Sequence, residues 1–153
     1  MSRIDRAGRE LDAPPDRVYD ALLDPDALLN WLPPAGMTGR FERYDARPGG
    51  GYRLVLTYAD PAASPGKTTG DSDAVEATFV ELVPGERVVQ AVQFDSDDPA
   101  YAGTMTMTWT LEPRGTATVV EILAEDVPPG ISPGDHQVGL DSTLRNLADH
   151  LSR

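Results

Sequence analysis

The segment Gly103–Pro113 reads GTMTMTWTLEP and is the most regular stretch of the 153-residue sequence. Threonines occupy positions 104, 106, 108 and 110, and Met105, Met107, Trp109 and Leu111 stand between them. Side chains alternate between the two faces of a β-strand, so this segment predicts a strand with one hydroxyl-bearing face and one bulky apolar face. The threonine face suits the solvated side of a sheet. The apolar face needs another element of the chain to cover it.

A long helix near the C-terminal end of the sequence is the candidate cover. Ser132 is typical of an N-cap, Pro133 follows at the first helical position, and Asp135 lies three residues after the cap. Leucines at positions 140, 144, 147 and 151 have the spacing of a buried helical stripe. We therefore expect this helix to pack on the apolar face of the sheet.

The region between residues 38 and 126 has the two-residue period of β-strands. Glycine-rich turns at positions 48–51 (PGGG) and 84–86 (PGE) are typical of hairpins, and the polar stretch 60–73 predicts a loop. The pattern predicts six antiparallel strands, at Thr38–Arg47, Tyr52–Tyr58, Ala74–Val83, Arg87–Phe94, Gly103–Leu111 and Thr116–Asp126.

The N-terminal part adds one strand, Ile4–Leu11, and two short helices. The first helix is expected to begin at the proline pair 14–15 with Asp12 as its cap, and the Asp24-Pro25 pair separates it from a second that ends at the prolines 33–34. This order predicts an α+β fold in which a curved antiparallel sheet wraps around the long C-terminal helix. The length suits a single domain, residues 1–153.

The composition excludes several classes of partner. The formal net charge is −12 with a single lysine, Lys67, which argues against nucleic acid and against an anionic membrane surface. Cysteine is absent, no apolar run approaches the ~20 residues of a membrane span, and the N-terminus lacks the apolar region of a signal peptide. We expect a cytoplasmic protein without disulfides or thiolate metal sites.

The order of elements and several local motifs resemble the helix-grip SRPBCC superfamily (START-like, Bet v 1-like), in particular the group related to the C-terminal domain of the activator of Hsp90 ATPase homologue. The resemblance rests on four segments: 13–34 (APPDRVYDALLDPDALLNWLPP), 45–50 (DARPGG), 82–89 (LVPGERVV) and 108–122 (TWTLEPRGTATVVEI). It implies a cavity between the sheet and the closing helix. It does not fix a function, because the superfamily includes lipid carriers, hormone receptors, polyketide cyclases and co-chaperone domains.

Two departures from the related sequences bear on that cavity. A Thr-Trp pair is common where this chain has Ala91-Val92, and an aromatic residue is common near the start of the closing helix, where this chain has Gly139-Leu140. Both changes would enlarge the cavity unless Trp109 or Met107 collapses into the space.

Strand alternation, applied to the implied helix-grip arrangement, predicts which side chains line the cavity. Methionine and aromatic side chains suit an adaptable apolar ligand, although the same residues could equally form an ordinary core, above all Leu54, Val120 and Ile122. The candidate ligand-binding residues are Trp31, Tyr52, Leu54, Leu56, Phe79, Gln90, Val92, Phe94, Met105, Met107, Trp109, Val120, Ile122, Asp126 and His136.

His136 is the candidate for acid–base chemistry, because it lies one turn before Leu140 on the helix face that meets the sheet. Asp126 shares the strand parity of Val120 and Ile122 and is its expected partner, although His136 could also be a partly exposed helix-start residue. His150 is expected at the surface and too far from His136 for both to ligate one metal, so we expect no metal site and no cofactor.

Three functions remain open from the sequence. The first is binding of an apolar or amphipathic small molecule in the cavity. The second is a polyketide cyclase-like enzyme that uses His136 and Asp126, and the third is an Hsp90-activator-like interaction domain. We expect no chaperone partner, because the chain shows only one domain. Self-association as a homodimer is compatible with the fold, although no interface signature is visible.

Overall fold

The fold consists of seven strands and three α-helices in a computed structural model that describes residues 3–33, 36–58 and 72–152. The strands are β1 (Ile4–Leu11), β2 (Met37–Tyr44), β3 (Gly51–Tyr58), β4 (Ser72–Val83), β5 (Arg87–Phe94), β6 (Met105–Arg114) and β7 (Ala117–Glu125). The helices are α1 (Pro15–Leu23), α2 (Pro25–Trp31) and α3 (Pro133–Leu151), and a short 3₁₀ turn covers Pro99–Tyr101.

The strands form one antiparallel sheet in the order β1-β7-β6-β5-β4-β3-β2. From β2 to β7, strands that follow each other in sequence are neighbours in the sheet, and β1 pairs with β7 at one edge. This curved sheet, the two short helices after β1 and the long final helix confirm the α+β helix-grip fold.

Helix α3 covers the inner face of the sheet, as its leucine stripe predicts. The four stripe residues Leu140, Leu144, Leu147 and Leu151 are all buried. Burying each leucine side chain contributes about 1.5–3 kcal/mol, which makes this stripe a main source of the helix's stability. The Ser132 hydroxyl accepts a hydrogen bond from the Asp135 backbone N–H at 3.1 Å, so the expected N-cap is present.

The start of α1 differs from the sequence prediction. Pro14 occupies the N-cap position without a side-chain hydrogen bond, and Asp12 lies two residues before it, so the expectation that Asp12 caps the helix is wrong. The helix instead begins with Pro15, whose fixed φ suits the first helical position. Asp24 caps α2, because its Oδ1 accepts from the backbone N–H of Asp26 at 2.9 Å.

Strand ends also differ from the prediction, by a few residues. β2 ends at Tyr44, because residues 45–50 form a turn in which Gly49 has a φ of +84°. Gly51 follows at the start of β3, where a Cβ atom would lie 2.0 Å from the Ala77 carbonyl oxygen, so only glycine fits. Most of the predicted 60–73 loop lies outside the described residues.

The strand β6 has the two faces that its sequence predicts. Met105, Trp109 and Leu111 are buried, and Met107 is partly buried on the same face. Its neighbours in the sheet present Val92, Gln90 and Ile122 to that same side. The apolar face of β6 therefore lies at the centre of the concave side, opposite α3.

Candidate functional site: a two-part cavity under the closing helix

An inner chamber of about 180 Å³ lies between the sheet and α3. Five strands contribute its floor, and the C-terminal end of α2 and the middle of α3 contribute its walls. It is lined by Leu32, Tyr52, Leu54, Leu56, Val75, Gln90, Val92, Phe94, Met105, Met107, Trp109, Ile122, Leu140 and Thr143. Most of these side chains are apolar, with Tyr52, Gln90 and Thr143 as the polar ones.

An outer cleft of about 590 Å³ lies next to the inner chamber. The two share six lining residues: Leu56, Val75, Phe94, Met107, Leu140 and Thr143. The cleft adds polar side chains from α3 and from the start of β4, namely Asp73, Asp135, His136, Ser142 and Asn146. The apolar chamber and the more polar cleft are therefore adjacent and share one wall.

The deep end of the inner chamber lies between β3, β5 and α2. A void of about 20 Å³ there shares Leu32, Tyr52, Gln90 and Trp109 with the chamber. Trp31 closes this end, since its ring packs edge-on against Trp109 at a centroid distance of 5.8 Å. The Trp31 indole N–H donates to the Ala21 carbonyl at 2.9 Å, which holds the ring in place.

Gln90 and Tyr52 form the polar point of this deep end. The Gln90 amide donates to the Tyr52 hydroxyl across 3.5 Å, which is a long hydrogen bond. Burial raises the pKa of Tyr52 to about 12, against a small lowering by the Gln90 hydrogen bond. Tyr52 is therefore a neutral phenol at neutral pH.

At the mouth, the partner of His136 is Asp5 on β1. Nδ1 of His136 lies 2.6 Å from a carboxylate oxygen of Asp5, which also accepts from the Arg3 guanidinium at 2.9 Å. Both partners of the first contact are largely buried, with side-chain exposures of 12% and 11%. Burial acts to raise the pKa of Asp5, but the hydrogen bonds from Arg3 and His136 outweigh it and lower that pKa overall. The carboxylate orients the imidazole ring, and Nε2 remains for a ligand.

The structure brings ten of the fifteen candidate binding residues to the inner chamber: Tyr52, Leu54, Leu56, Gln90, Val92, Phe94, Met105, Met107, Trp109 and Ile122. His136 lines the outer cleft, and Trp31 lines the void behind the chamber. Phe79 and Val120 are fully buried and line none of these three spaces. They belong to the core.

Asp126 does not reach the cavity, and its expected pairing with His136 is wrong. It is exposed, its backbone N–H donates to the Arg3 carbonyl, and its φ is +59°. The left-handed backbone ends β7 at Glu125, so the alternation that places Val120 and Ile122 inward no longer applies at residue 126.

Sequence reasoning missed several lining residues. Val75 shares the strand alternation of Ala77 and Phe79, so extending the pattern to the start of β4 would have found it. Asp5 lies two residues before the buried Ala7 and therefore on the same face of β1. An acidic residue at an inward-facing strand position indicates a buried polar contact. Thr143, one turn after Leu140 on α3, gives no comparable signal in the sequence.

The two departures from related sequences both lie at the cavity. Val92 lines the inner chamber, while Trp109 and Met107 stay in its wall, so the space beside Val92 is open. Gly139 lines the outer cleft, and a Cβ atom at this position would meet no atom within 4 Å.

The part of the chain that the structure describes contains neither a candidate metal site nor a candidate membrane-spanning helix. No three His, Cys, Asp or Glu side chains come together there in a group that could hold a metal ion. No helix in that part is long and apolar enough to cross a membrane.

Comparison with known proteins places the chain in a family. A sequence model of the family described as Activator of Hsp90 ATPase homolog 1-like protein matches residues 12–152. The crystal structure of protein CV1439 from Chromobacterium violaceum is similar, with 37% identity, a TM-score of 0.86, and coverage of 98% of this chain and 97% of that chain. No curated protein matches the sequence.

More distant solved structures share the fold alone. A protein from Arthrobacter aurescens, solved by NMR, has 19% identity, a TM-score of 0.81, and coverage of 97% of this chain and 86% of that chain. DynU16, a protein of the dynemicin biosynthetic locus, has 20% identity and a TM-score of 0.70, with coverage of 97% of this chain and 47% of the longer chain.

Proposed function

Because the chain belongs to the family of Activator of Hsp90 ATPase homolog 1-like proteins, whose fold leaves a cavity under the closing helix here, we propose that it binds an amphipathic small molecule in that cavity. The observation that carries this proposal is that an apolar inner chamber lies directly beside a polar outer cleft, with six residues lining both. The apolar part of the ligand occupies the chamber, and its polar part lies in the cleft.

The size of the two spaces supports this division. An apolar cavity of about 150 Å³ holds a benzene ring in other proteins, so a chamber of about 180 Å³ holds one aromatic ring or a short aliphatic chain. The outer cleft, about 590 Å³, lies within the 300–1,000 Å³ range that is typical of small-molecule sites. Burial of the apolar part at about 25 cal/mol per Å² supplies the affinity.

The charges at the mouth favour a cationic or neutral polar group over an anionic one. Asp135 lines the cleft, and the described lining contains no lysine or arginine. A carboxylate on the ligand would lose hydration there without gaining a lysine or arginine partner. An ammonium group would lie near the Asp135 carboxylate, which is electrostatically favourable.

Thermal denaturation and calorimetry with a pair of probes test this function. 2-Phenylethylamine and phenylacetate have the same ring and a similar chain but opposite charges. We expect 2-phenylethylamine to raise Tm and to bind at least tenfold more tightly than phenylacetate. Val92→Phe, which fills the chamber, should abolish binding, whereas His136→Ala should largely keep it. Absence of binding, or binding that Val92→Phe leaves unchanged, would contradict the proposal.

Acid–base catalysis at the mouth is a second candidate, and the contact between His136 and Asp5 is the observation that favours it. A carboxylate that holds Nδ1 leaves Nε2 to accept a proton from a carbon next to a ligand carbonyl. Asp5 takes the role that the sequence assigned to Asp126.

Deuterium exchange tests this second candidate. The α-protons of acetophenone in D₂O would be removed by His136 and replaced by solvent deuterons, which ¹H NMR follows directly. We expect His136→Gln to abolish any protein-catalysed exchange and Asp5→Asn to reduce it at least tenfold, with acetophenone binding retained. Exchange no faster than in buffer, while acetophenone binds, would leave binding as the function.

A further inference from the structure

The deep end of the inner chamber contains hydrogen-bonding capacity that the protein itself does not use. The Gln90 amide N–H donates to the Tyr52 hydroxyl oxygen. The Tyr52 hydroxyl hydrogen is then a free donor, and the Gln90 side-chain carbonyl oxygen is a free acceptor. Within residues 3–33, 36–58 and 72–152, neither of these two groups makes a further hydrogen bond, and the Gln90 carbonyl oxygen keeps accessible surface rather than being sealed in the core. Both residues are buried and both line the chamber and the void behind it.

Unused polar groups that line an otherwise apolar cavity favour a ligand that can form hydrogen bonds with them. The void of about 20 Å³ beside the pair is large enough for one water-sized oxygen atom. The two residues that carry the free donor and the free acceptor therefore both line a space that fits a single oxygen atom.

The chemistry of that oxygen follows from its surroundings. An ether or carbonyl oxygen would accept from Tyr52 but could not donate to Gln90, whereas a hydroxyl group does both. A carboxylate is excluded because the described lining has no cation, and Tyr52, whose hydroxyl stays protonated, offers only one donor. If the Gln90 amide is rotated by 180°, Tyr52 donates to its carbonyl and the free amide N–H binds the hydroxyl oxygen instead.

We propose that Tyr52 and Gln90 form a subsite for one neutral hydroxyl group of the ligand, a phenol or an alcohol, at the deep end of the chamber. This inference rests on the proposed binding function. The ligand enters with its hydroxyl-bearing apolar part first, so that the hydroxyl reaches the pair at the deep end. The polar group at its other end remains in the outer cleft.

Two probes that differ by one hydroxyl group test the subsite. p-Cresol and toluene both fit the chamber, and calorimetry gives the ratio of their dissociation constants. Because the probes differ in hydrophobicity, the ratio is compared between the wild type and variants. We expect the preference for p-cresol to fall about threefold in Tyr52→Phe and in Gln90→Leu. It should fall about tenfold in the double variant, which corresponds to about 1.4 kcal/mol.

The control is Thr143→Val, which removes the remaining polar side chain of the inner chamber without touching the pair. This variant should keep the wild-type ratio. Toluene should bind all four variants, which shows that they are folded with an open chamber. An unchanged ratio in the double variant, with toluene still bound, overturns the hydroxyl subsite alone. Failure of both probes to bind the wild type overturns the binding function together with the subsite.

Discussion

The imidazole of His136 and the carboxylate of Asp5 lie 2.6 Å apart, although 131 positions separate them in the sequence. The contact joins the first turn of the closing helix to the first strand, and Arg3 binds the same carboxylate oxygen. It therefore fixes the position of the helix end that forms one side of the cavity mouth. Asp5 is ionised at neutral pH, because the two hydrogen bonds lower its pKa in spite of burial.

Asp5→Asn should destabilise the protein at neutral pH by about 1.5–3 kcal/mol, the range for hydrogen bonds to charged groups. The pKa of Asp5 is below its ordinary value of 3.8 in the folded state. Its contribution is therefore present above that value and is lost as the pH falls through the folded pKa. Urea unfolding at pH 7 and at pH 3 should show a large difference between variant and wild type at pH 7, and a smaller one at pH 3.

Asp126→Asn is the matched control for this prediction. Asp126 is exposed and has a φ of +59°, a conformation that asparagine tolerates well. Its replacement should change the free energy of unfolding by less than about 0.5 kcal/mol. An Asp126→Asn variant as unstable as Asp5→Asn would mean that the sequence-based pairing of Asp126 with His136 was right after all.

Val92→Phe should fill the inner chamber and leave the fold intact. The added ring projects from a strand position that lines about 180 Å³ of open space. We expect the free energy of unfolding to stay within about 1 kcal/mol of the wild type, because burial of the ring offsets small packing adjustments. Chemical denaturation checks stability, and a calorimetric titration with toluene checks that the chamber is closed.

Val120→Phe makes the same substitution in a different environment. Val120 is fully buried on β7 and lines none of the three spaces, so an added ring has no free volume to enter. Overpacking of this kind costs about 1–3 kcal/mol or more. Equal destabilisation by the two substitutions would mean that the chamber closes in solution.

Gly139→Ala should stabilise the protein by about 1 kcal/mol. Gly139 lies inside α3, where glycine is less favourable than alanine by about that amount, and the new Cβ would meet no atom within 4 Å. Differential scanning calorimetry should show a higher Tm. Gly134→Ala, also free of contacts but next to the N-cap, should give a smaller gain, because the first turn contributes less to helix propagation. A lower Tm for Gly139→Ala would mean that the cleft is occupied at that point.

The fold could be predicted from the sequence because local hydrophobic patterns determine most of it. The alternation around Met105, Met107 and Trp109 and the leucine stripe of the last helix specify two surfaces that can only cover each other. The inner chamber follows from the same alternation, together with the family resemblance. The alternation of side chains does not show at which residue a strand ends. Asp126 was therefore wrongly predicted to lie on the inward face of β7.

The contacts at the mouth of the cavity were much harder to predict from the sequence. Asp5 and His136 meet only because β1 pairs with β7 at the edge over which α3 begins. Such a contact depends on the crossing of a helix and a strand, which no local period encodes. Asp73 likewise reaches the cleft from the start of β4, beside a polar stretch that gives no sign of a cavity.

Arg53→Ala should destabilise the sheet by about 1–2 kcal/mol, because Arg53 joins three neighbouring segments. Its guanidinium donates to Asp95 at 2.6 Å, to Glu42 at 2.8 Å and to Glu76 at 3.3 Å, and these contacts raise its pKa further. Its side chain is only 27% exposed, whereas that of Arg40, whose ion pair within the described residues is with Glu42, is 65% exposed. Arg40→Ala should therefore cost less than about 0.5 kcal/mol.

Urea unfolding in 0.05 M and 1 M NaCl measures the loss in free energy of unfolding caused by Arg53→Ala. This loss should be smaller at the higher salt concentration, because salt screens the ion pairs. A loss that does not depend on salt would assign the effect to packing of the arginine stem instead.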